Sequence, residues 1–154
     1  MSLFQGMNAS ASALTANRLM LDTISANIAN QEVTRATYVN GAWQPYKRKM
    51  LEMAPRSSSS FDNMLQMAVG NVFNNNSGGE LGVRVTGIRE DNTPFKRMYD
   101  PSHPDADADG YVLMPNVDPM KEFVDLIAAS RAYEANVTAF NASKSMMMKA
   151  LEIR

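Results

Sequence analysis

The sequence predicts a mainly α-helical protein in which long N- and C-terminal helices pair as a coiled coil, with a small β-containing middle region. Three observations predict this fold. Apolar residues recur every seven positions near both ends, charge is almost absent from the first helical segment, and the middle combines alternating segments with turn-forming residues. The chain therefore divides into an N-terminal helical segment at 1–35, a middle region at 36–114 and a C-terminal helical segment at 115–154.

The N-terminal segment predicts one helix over residues 2–30. Met7, Leu14, Leu21 and Ile28 lie seven residues apart, and Leu3 and Ile24 take the companion heptad position. Only Arg18 and Asp22 are charged, whereas a helix with a solvated face normally carries many more charges. We therefore expect this helix to be covered on several sides.

The C-terminal segment predicts a longer helix over residues 117–154. Asp118 is a suitable N-cap, and Pro119 is favoured at the first helical position. An apolar stripe follows at near-heptad spacing, formed by Phe123, Leu126, Tyr133, Val137, Phe140, Met147 and Leu151. Such a helix would be roughly 55 Å long, too long for the rest of this chain to cover. We therefore expect partners from outside the chain.

The middle region predicts short strands joined by long connections. The strands are expected at 46–53, 82–88 and 111–114, and Asn40-Gly41 is expected to form a turn. Ser, Asn and Gly dominate 56–80, which predicts a loop, with 61–73 able to hold a short amphipathic helix.

Composition narrows the possible functions. The formal net charge of −1 provides no basic field for nucleic acid, and the absence of cysteine excludes disulfides, thiolate metal sites and cysteine nucleophiles. No segment reaches the roughly 18 apolar residues of a membrane span, and no basic region precedes an apolar run as in a cleaved signal peptide. On residues alone, these features favour a cytoplasmic protein without membrane insertion.

One motif has the pattern of a metal site. Asp105, Asp107 and Asp109 precede Gly110, as in the first half of a calcium-binding EF-hand loop. Asn116 takes the place of the bidentate glutamate, and the proline-rich segment before Asp105 cannot form the entering helix. An acidic turn is therefore the preferred interpretation, and we expect no metal or other cofactor.

Three further features have local interpretations. His103, the only histidine, lies between two prolines and is interpreted as a turn residue rather than a catalytic base. Lys47-Arg48-Lys49 is expected on a solvated strand edge, with contact to an acidic neighbouring subunit as the alternative. Within Met146-Met147-Met148, one or two side chains are expected to pack in the helix seam. No catalytic constellation is found, so we expect no enzyme activity.

Both ends of the chain carry signatures of one family. The run Ser-Ala-Leu-Thr-Ala-Asn-Arg-Leu at 12–19, with Asn27-Ile28-Ala29-Asn30 and Thr34-Arg35, resembles the N-terminal signature of bacterial flagellar rod and hook proteins. Ala-Ser-Arg-Ala-Tyr-Glu-Ala-Asn at 129–136 is similar to their C-terminal signature. The segment at 99–107 is most similar to the proximal-rod members of this family. Val33, where such proteins often carry Thr, is a small departure.

The resemblance implies a structural subunit of the flagellar proximal rod, part of the axial shaft that transmits torque from motor to hook. It implies export through the flagellar type III apparatus without a cleaved signal, location in the basal body beyond the inner membrane, and a helical assembly with an axial core made of the terminal helices. The implied partners are other copies, neighbouring rod proteins, the surrounding basal-body rings and the export apparatus. The predicted assembly interface comprises Leu3, Met7, Leu14, Leu21, Ile24, Asn27, Ile28, Asn30, Phe123, Leu126, Arg131, Tyr133, Asn136, Val137, Phe140, Met147 and Leu151.

Two alternatives remain open from the residues alone. A soluble helical adaptor would use the same apolar stripes to bind a partner helix transiently. A calcium-binding module would use the turn from Asp105 to Asp109.

Overall fold

The computed structural model describes residues 3–39, 41–56 and 82–152, which form two long helices and six short strands. In chain order these are α1 (Leu3–Ala29), β1 (Thr37–Val39), β2 (Ala42–Gln44), β3 (Lys49–Pro55), β4 (Val83–Glu90), β5 (Lys96–Tyr99), β6 (Tyr111–Met114) and α2 (Pro119–Glu152). The prediction of a mainly helical protein with a small β part is confirmed.

The start of α2 and the end of α1 both lie where the local sequence provides hydrogen-bonding side chains. Asp118 Oδ1 accepts a hydrogen bond from Met120 N at 3.1 Å, so the predicted cap and the first-turn position of Pro119 are confirmed. At the end of α1, Asn30 Nδ2 donates to the carbonyl oxygen of Ala26 at 2.8 Å. The same oxygen accepts the backbone N–H of Asn30 at 3.1 Å, so the side chain of Asn30 adds a second hydrogen bond to the last turn of the helix.

The strands pair two by two. β1 with β2 and β5 with β6 are antiparallel hairpins, and β3 pairs with β4. The predicted strand at 111–114 matches β6, and β3 and β4 agree with their predictions to within a few residues. The predictions did not include β1, β2 or β5. Most of the predicted loop at 56–80, including the optional helix at 61–73, lies outside the described residues.

The hairpins are held by turn geometry and aromatic pairs. Gly41 adopts a φ of 85° at the predicted turn, while Asn40 lies outside the described residues. Tyr38 faces Trp43 across the β1–β2 hairpin, with ring centroids 5.2 Å apart in an edge-on arrangement. All three side chains of β1 and most of those in β5 and β6 are exposed. Such short hairpins depend on the elements around them for stability.

The chain forms two compact units. The first comprises Met1–Asn17, Met53–Thr86 and Ala132–Arg154, and the second comprises Arg18–Glu52 and Gly87–Arg131. In the first unit the helices approach where a Cβ added at Gly6 would lie 4.0 Å from Ser143 Oγ. In the second unit they are joined by a hydrogen bond between Asn27 and Glu122. The core of the second unit is small and includes Ile24, Val112, Pro115, Val117 and Ala129.

Gly82 fixes the start of β4 against α1 in the first unit. Its φ is 107°, and a Cβ at this position would overlap Ser12 Oγ and lie 3.2 Å from the Cα of Ala9. Ser12 Oγ accepts a hydrogen bond from Val83 N at 3.1 Å and donates to the carbonyl oxygen of Ala9 at 2.7 Å. The strand therefore approaches the helix as closely as it does because residue 82 has no side chain.

Replacing Gly82 with alanine is expected to lower the free energy of unfolding by at least about 2 kcal/mol. Left-handed backbone strain costs about 1–3 kcal/mol, and displacement of Ser12 removes a hydrogen bond contributing about 1 kcal/mol. Gly87→Ala is the matched control, because a Cβ there meets nothing within 4 Å and its φ is not positive. Urea denaturation of the three proteins measures the difference. Equal midpoints for the two variants would contradict the close approach.

Candidate functional site

The predicted interface residues of α1 point mainly toward the chain itself. Leu3 begins the helix. Ile24 and Asn27 are buried, whereas Met7, Leu14, Leu21, Ile28 and Asn30 are half-buried. The heptad residues of α1 therefore form an apolar stripe that the rest of the chain covers in part. We call this stripe, together with the half-buried predicted residues of α2, the seam.

The predicted interface residues of α2 divide into two groups. A half-buried group comprises Leu126, Tyr133, Asn136, Val137, Phe140 and Met147, and an exposed group comprises Phe123, Arg131 and Leu151. In the methionine run, Met147 is half-buried while Met146 and Met148 are exposed, so one of the three packs as expected.

A second face of α1 is exposed along its length and was not predicted. We call it the α1 outer face, formed by Phe4, Asn8, Ala11, Thr15, Arg18, Asp22, Ser25 and Ala29. Its members alternate in steps of four and three residues, the spacing of a helix that packs on another helix. Most of its side chains are small, and Arg18 and Asp22 are its only charged members. The sequence signal for this face was the scarcity of charge.

The corresponding exposed face of α2 is lined by alanine. This α2 outer face comprises Val124, Ala128, Ala132, Ala135, Ala139, Ala142 and Met146, again in steps of four and three. Large apolar side chains lie exposed beside its beginning, namely Met120, Phe123 and Ile127. Alanine allows two helix backbones to approach closely, and exposed apolar side chains of this kind typically mark contact surfaces.

A buried polar cluster positions both helices within the second unit. The Glu122 side chain is 0% exposed; its Oε1 lies 2.6 Å from Arg48 Nε, and its Oε2 accepts a hydrogen bond from Asn27 Nδ2 at 3.1 Å. Asn27 Oδ1 accepts hydrogen bonds from Tyr46 Oη at 3.0 Å and from Lys49 N at 2.9 Å. We call Asn27, Arg48 and Glu122 the Arg48 cluster. It joins α1, the chain before β3 and the first turns of α2.

Arg48 also attracts two further carboxylates. Asp91 Oδ2 lies 3.8 Å from its Nη1, and Asp125 Oδ2 lies 3.6 Å from its Nη2. The pKa of the Asp91 carboxyl is lowered by a hydrogen bond from the backbone of Thr93, with a smaller contribution from the Arg48 charge. The pKa of Tyr46 is raised, first by burial and then by the charge of Glu122. One guanidinium therefore lies among three acidic groups, two from the first turns of α2 and one from the residue that follows β4.

The interpretation of Lys47-Arg48-Lys49 as a solvated strand edge was wrong for Arg48. Only Lys49 belongs to β3, and the side chain of Arg48 is 15% exposed. The physical reason is that Glu122, Asp91 and Asp125 provide an acidic environment inside the same chain. Lys47 does reach solvent and lies 3.7 Å from the exposed Glu90.

The acidic turn is docked on the chain that follows α1. Asp105 forms an ion pair with Arg35 and accepts a hydrogen bond from Thr34 Oγ1 at 2.7 Å. The hydrogen bond from Arg35 lowers the pKa of the Asp105 carboxyl, and the one from Thr34 lowers it further. His103 Nδ1 accepts a hydrogen bond from Asp105 N at 3.1 Å, which is the geometry of a turn. The interpretation as a structural turn is therefore supported.

Two kinds of site are not found in the described part of the chain. Across residues 3–39, 41–56 and 82–152, no three His, Asp or Glu side chains are grouped so that they would hold a metal ion. Neither helix, over the range described, combines the length and apolar character needed to cross a membrane.

Comparison with known proteins identifies the chain's relatives. Residues 7–37 match the model of the family described as flagella basal body rod protein, and residues 108–153 match the flagellar basal body rod FlgEFG protein C-terminal family. The chain is 52% identical to the flagellar basal-body rod protein FlgC of Bacillus subtilis, over 99% of both chains. FlgC of Borreliella burgdorferi is 43% identical, and FlgC of Escherichia coli O157:H7 is 36% identical, each over 99% of this chain and 98% of the relative. The two long helices, their exposed helix-packing faces and these full-length matches agree, and the chain belongs to the FlgC family of flagellar basal-body rod proteins.

Proposed function

We propose that this chain is a structural subunit of the flagellar proximal rod, part of the axial shaft that transmits torque from motor to hook. The observation that carries the proposal is its similarity, along 99% of its length, to proteins named as basal-body rod proteins. The two outer faces support it, because a rigid shaft needs broad contacts between subunits, and these helices offer exposed surfaces with helix-packing spacing. On this proposal the chain acts by assembling, without catalysis or a cofactor.

The proposed assembly interface combines the outer faces with the predicted seam residues. The outer faces would contact neighbouring subunits directly. Seam residues such as Leu21, Tyr133 and Phe140 are half-buried in the single chain, so a neighbour would complete their burial. The partners would be other copies of this chain and neighbouring rod proteins, with the basal-body rings and the export apparatus as further contacts.

The proposed location is the basal body beyond the inner membrane, in the periplasm or cell wall. Export would use the flagellar type III apparatus without a cleaved signal. Few side chains are fully buried among the residues that the structure describes, which suits this route, since helices that lack part of their packing are only marginally stable before assembly.

Introducing a charge on the α2 outer face tests this function. Cells that produce only the Ala135→Glu variant are expected to be non-motile, with rod and hook assembly reduced at least tenfold relative to the unaltered chain. A buried, unpaired carboxylate at a helix interface would cost several kcal/mol at every repeated contact. Because the side chain of Ala135 is exposed in the single chain, this substitution should change the chain's free energy of unfolding by less than about 0.5 kcal/mol. Electron microscopy of purified basal bodies measures assembly.

The matched control is Ala108→Glu, which places the same charge on an exposed loop residue. Cells with this variant are expected to assemble rods normally. Cells that lack the chain provide the reference for complete loss of rod assembly. Normal rods in the Ala135→Glu cells would contradict the proposed role of the α2 outer face. Normal rods in cells without the chain would contradict the proposed function itself.

A further inference from the structure

A small pocket in the second unit is lined by residues of both hairpins, and we call it the Trp43 pocket. Its volume is about 240 Å³, just below the roughly 300–1,000 Å³ of sites that take a drug-sized molecule. Its apolar lining comprises Trp43 of β2, Pro45, and Val112 and Leu113 of β6. Pro45 and Val112 are buried, whereas Trp43 and Leu113 are exposed. A space of this size and lining suits one long side chain rather than a cofactor.

The charged lining of the Trp43 pocket has one unbalanced carboxylate. Arg35 Nε donates a hydrogen bond to Asp105 Oδ1 at 2.6 Å, and Arg35 Nη2 forms an ion pair with the same oxygen. These two opposite charges therefore balance each other. Asp107 also lines the pocket, and none of the residues that the structure describes forms a hydrogen bond or an ion pair with its carboxylate. One cation and two carboxylates thus leave a net charge of −1, which lies on Asp107.

The Asp107 backbone and the Trp43 ring are held in place by the chain itself. Asp107 N donates a hydrogen bond to the carbonyl oxygen of Tyr111 at 2.9 Å, and the carbonyl oxygen of Asp107 accepts one from Gly110 N at 2.8 Å. Tyr38 lies against Trp43, with the ring centroids 5.2 Å apart. An occupant would therefore meet groups that are already ordered, which lowers the entropy cost of binding.

The combination of an indole, an unpaired carboxylate and an apolar wall matches an arginine side chain. Indole is the aromatic ring that attracts cations most strongly, and a guanidinium can stack on it. A carboxylate accepts two parallel N–H groups from one guanidinium. Apolar side chains such as Leu113 can cover the methylene stem that carries the charge. Lysine fits less well, because its ammonium is a strongly hydrated point charge that cannot stack.

The occupant is expected to come from another chain. The described residues leave the Trp43 pocket open. Residues 57–81, which lie outside the described ranges, contain no lysine or arginine and so supply no cation. Tryptophan and arginine are both enriched among the residues that dominate binding at protein–protein interfaces, and such residues tend to pair across the interface. Trp43 is 54% exposed in the single chain, so it is available for such a pair.

We propose that the Trp43 pocket receives an arginine side chain from a neighbouring subunit of the assembly, an inference that rests on the proposed rod function. The guanidinium lies against the indole of Trp43 and pairs with the carboxylate of Asp107, and the methylene stem packs on Leu113. Such a pair has a defined geometry, because the two N–H groups and the two carboxylate oxygens must align. The contact would therefore add a directional link to the broad helix contacts made by the outer faces.

A fluorescence titration of the purified chain tests the pocket. Trp43 is the single tryptophan of the chain, so its emission reports this site alone. The probe is arginine with its amino group acetylated and its carboxyl group amidated. We expect a saturable change in emission with a dissociation constant on the order of 1 mM, the affinity of a ligand this small. Citrulline blocked in the same way is neutral and nearly the same shape, and it should bind at least about tenfold more weakly.

The titration has outcomes that contradict the proposal. Absence of a saturable change with blocked arginine, or equal binding of blocked citrulline, would overturn the site. Equal or tighter binding of lysine blocked in the same way would overturn the assignment to arginine.

A matched pair of variants tests the carboxylate. Asp107→Asn should weaken the binding of blocked arginine at least about fivefold, because it removes the pairing charge and keeps the shape of the side chain. Asp109→Asn makes the same change at an exposed carboxylate outside the pocket and should leave the dissociation constant within about twofold, since solvent and salt screen that charge. Both side chains are exposed, so both variants should fold. Equal effects of the two substitutions would contradict the role of Asp107.

Photo-cross-linking in cells tests the partner. A photoreactive residue replaces Leu113, which lines the pocket and is 42% exposed, and the cross-linked peptides of purified basal bodies are sequenced by mass spectrometry. We expect a product in which the peptide of the neighbouring subunit has an arginine next to the point of attachment. Adding Asp107→Asn should reduce the yield of this product at least about fivefold, whereas adding Asp109→Asn should not.

The outcomes separate the contact from the function. If the chain is present in basal bodies but the product is missing, lies within one molecule or contains no arginine, the contact alone is overturned. Absence of the unaltered chain from basal bodies would overturn the proposed function and the contact with it.

Discussion

Replacing Arg48 with methionine is expected to lower the free energy of unfolding by about 3–5 kcal/mol, the usual cost of leaving a buried charge without its partner. Glu122 is 0% exposed, and Arg48 Nε is its cationic contact, at 2.6 Å. Asn27 Nδ2 also donates to Glu122, but a neutral amide cannot balance a buried carboxylate. Urea denaturation of the purified chain, followed by circular dichroism, measures the loss.

Two controls separate the effect of an unpaired buried charge on stability from the effect of removing a long side chain. Arg89→Met makes the same chemical change at a pair in which Arg89 Nη1 lies 2.8 Å from Glu52 Oε1 and both side chains are well exposed. That variant should lose less than about 1 kcal/mol. Adding Glu122→Gln to Arg48→Met should recover part of the stability, because the buried group is then neutral. Equal losses for Arg48→Met and Arg89→Met would contradict the role assigned to the cluster.

The helices could be predicted from the sequence because their signals are local and repeated. The heptad spacing from Met7 to Ile28 and the cap at Asp118 each involve residues close along the chain, and both helices lie within a few residues of the predicted ranges. Strands β1 and β5 were not predicted because they carry no repeated signal. They have three and four residues, all exposed, so no alternation between a buried and an exposed face marks them.

The environment of Arg48 could not be predicted from the sequence. Three consecutive basic residues are typical of a solvated edge, and the acidic partners of Arg48 lie far along the chain. The sequence could not predict, either, which apolar face of each helix packs inside the chain. The apolar heptads and the alanine stripe of α2 both have helix-packing spacing, and only the folded chain shows that Phe140 is half-buried while Ala135 is exposed.

This difference between the two faces gives the second large expected effect. Replacing Phe140 with aspartate is expected to abolish rod assembly and also to destabilise the single chain by about 1–3 kcal/mol, since it removes a half-buried aromatic side chain and adds a carboxylate in its place. Ala135→Glu should abolish assembly while the single chain keeps its stability. Secreted protein should appear in both cases if export takes the unfolded chain.

Two measurements distinguish loss of assembly with an unstable chain from loss of assembly with a stable chain. They are amide hydrogen exchange on the purified variants and counts of assembled rods. Phe140→Leu is the matched control, because it keeps most of the apolar volume and should cost less than about 1.5 kcal/mol. Faster exchange over 132–152 in Phe140→Asp than in Ala135→Glu would assign Phe140 to the seam within the chain and Ala135 to the surface between chains. Normal rods with Phe140→Asp, or equal exchange in the two variants, would mean that the seam and the outer face do not have these separate roles. The expected pattern follows from a chain that covers one stripe of each helix in part by itself and leaves the other stripe exposed for its neighbours.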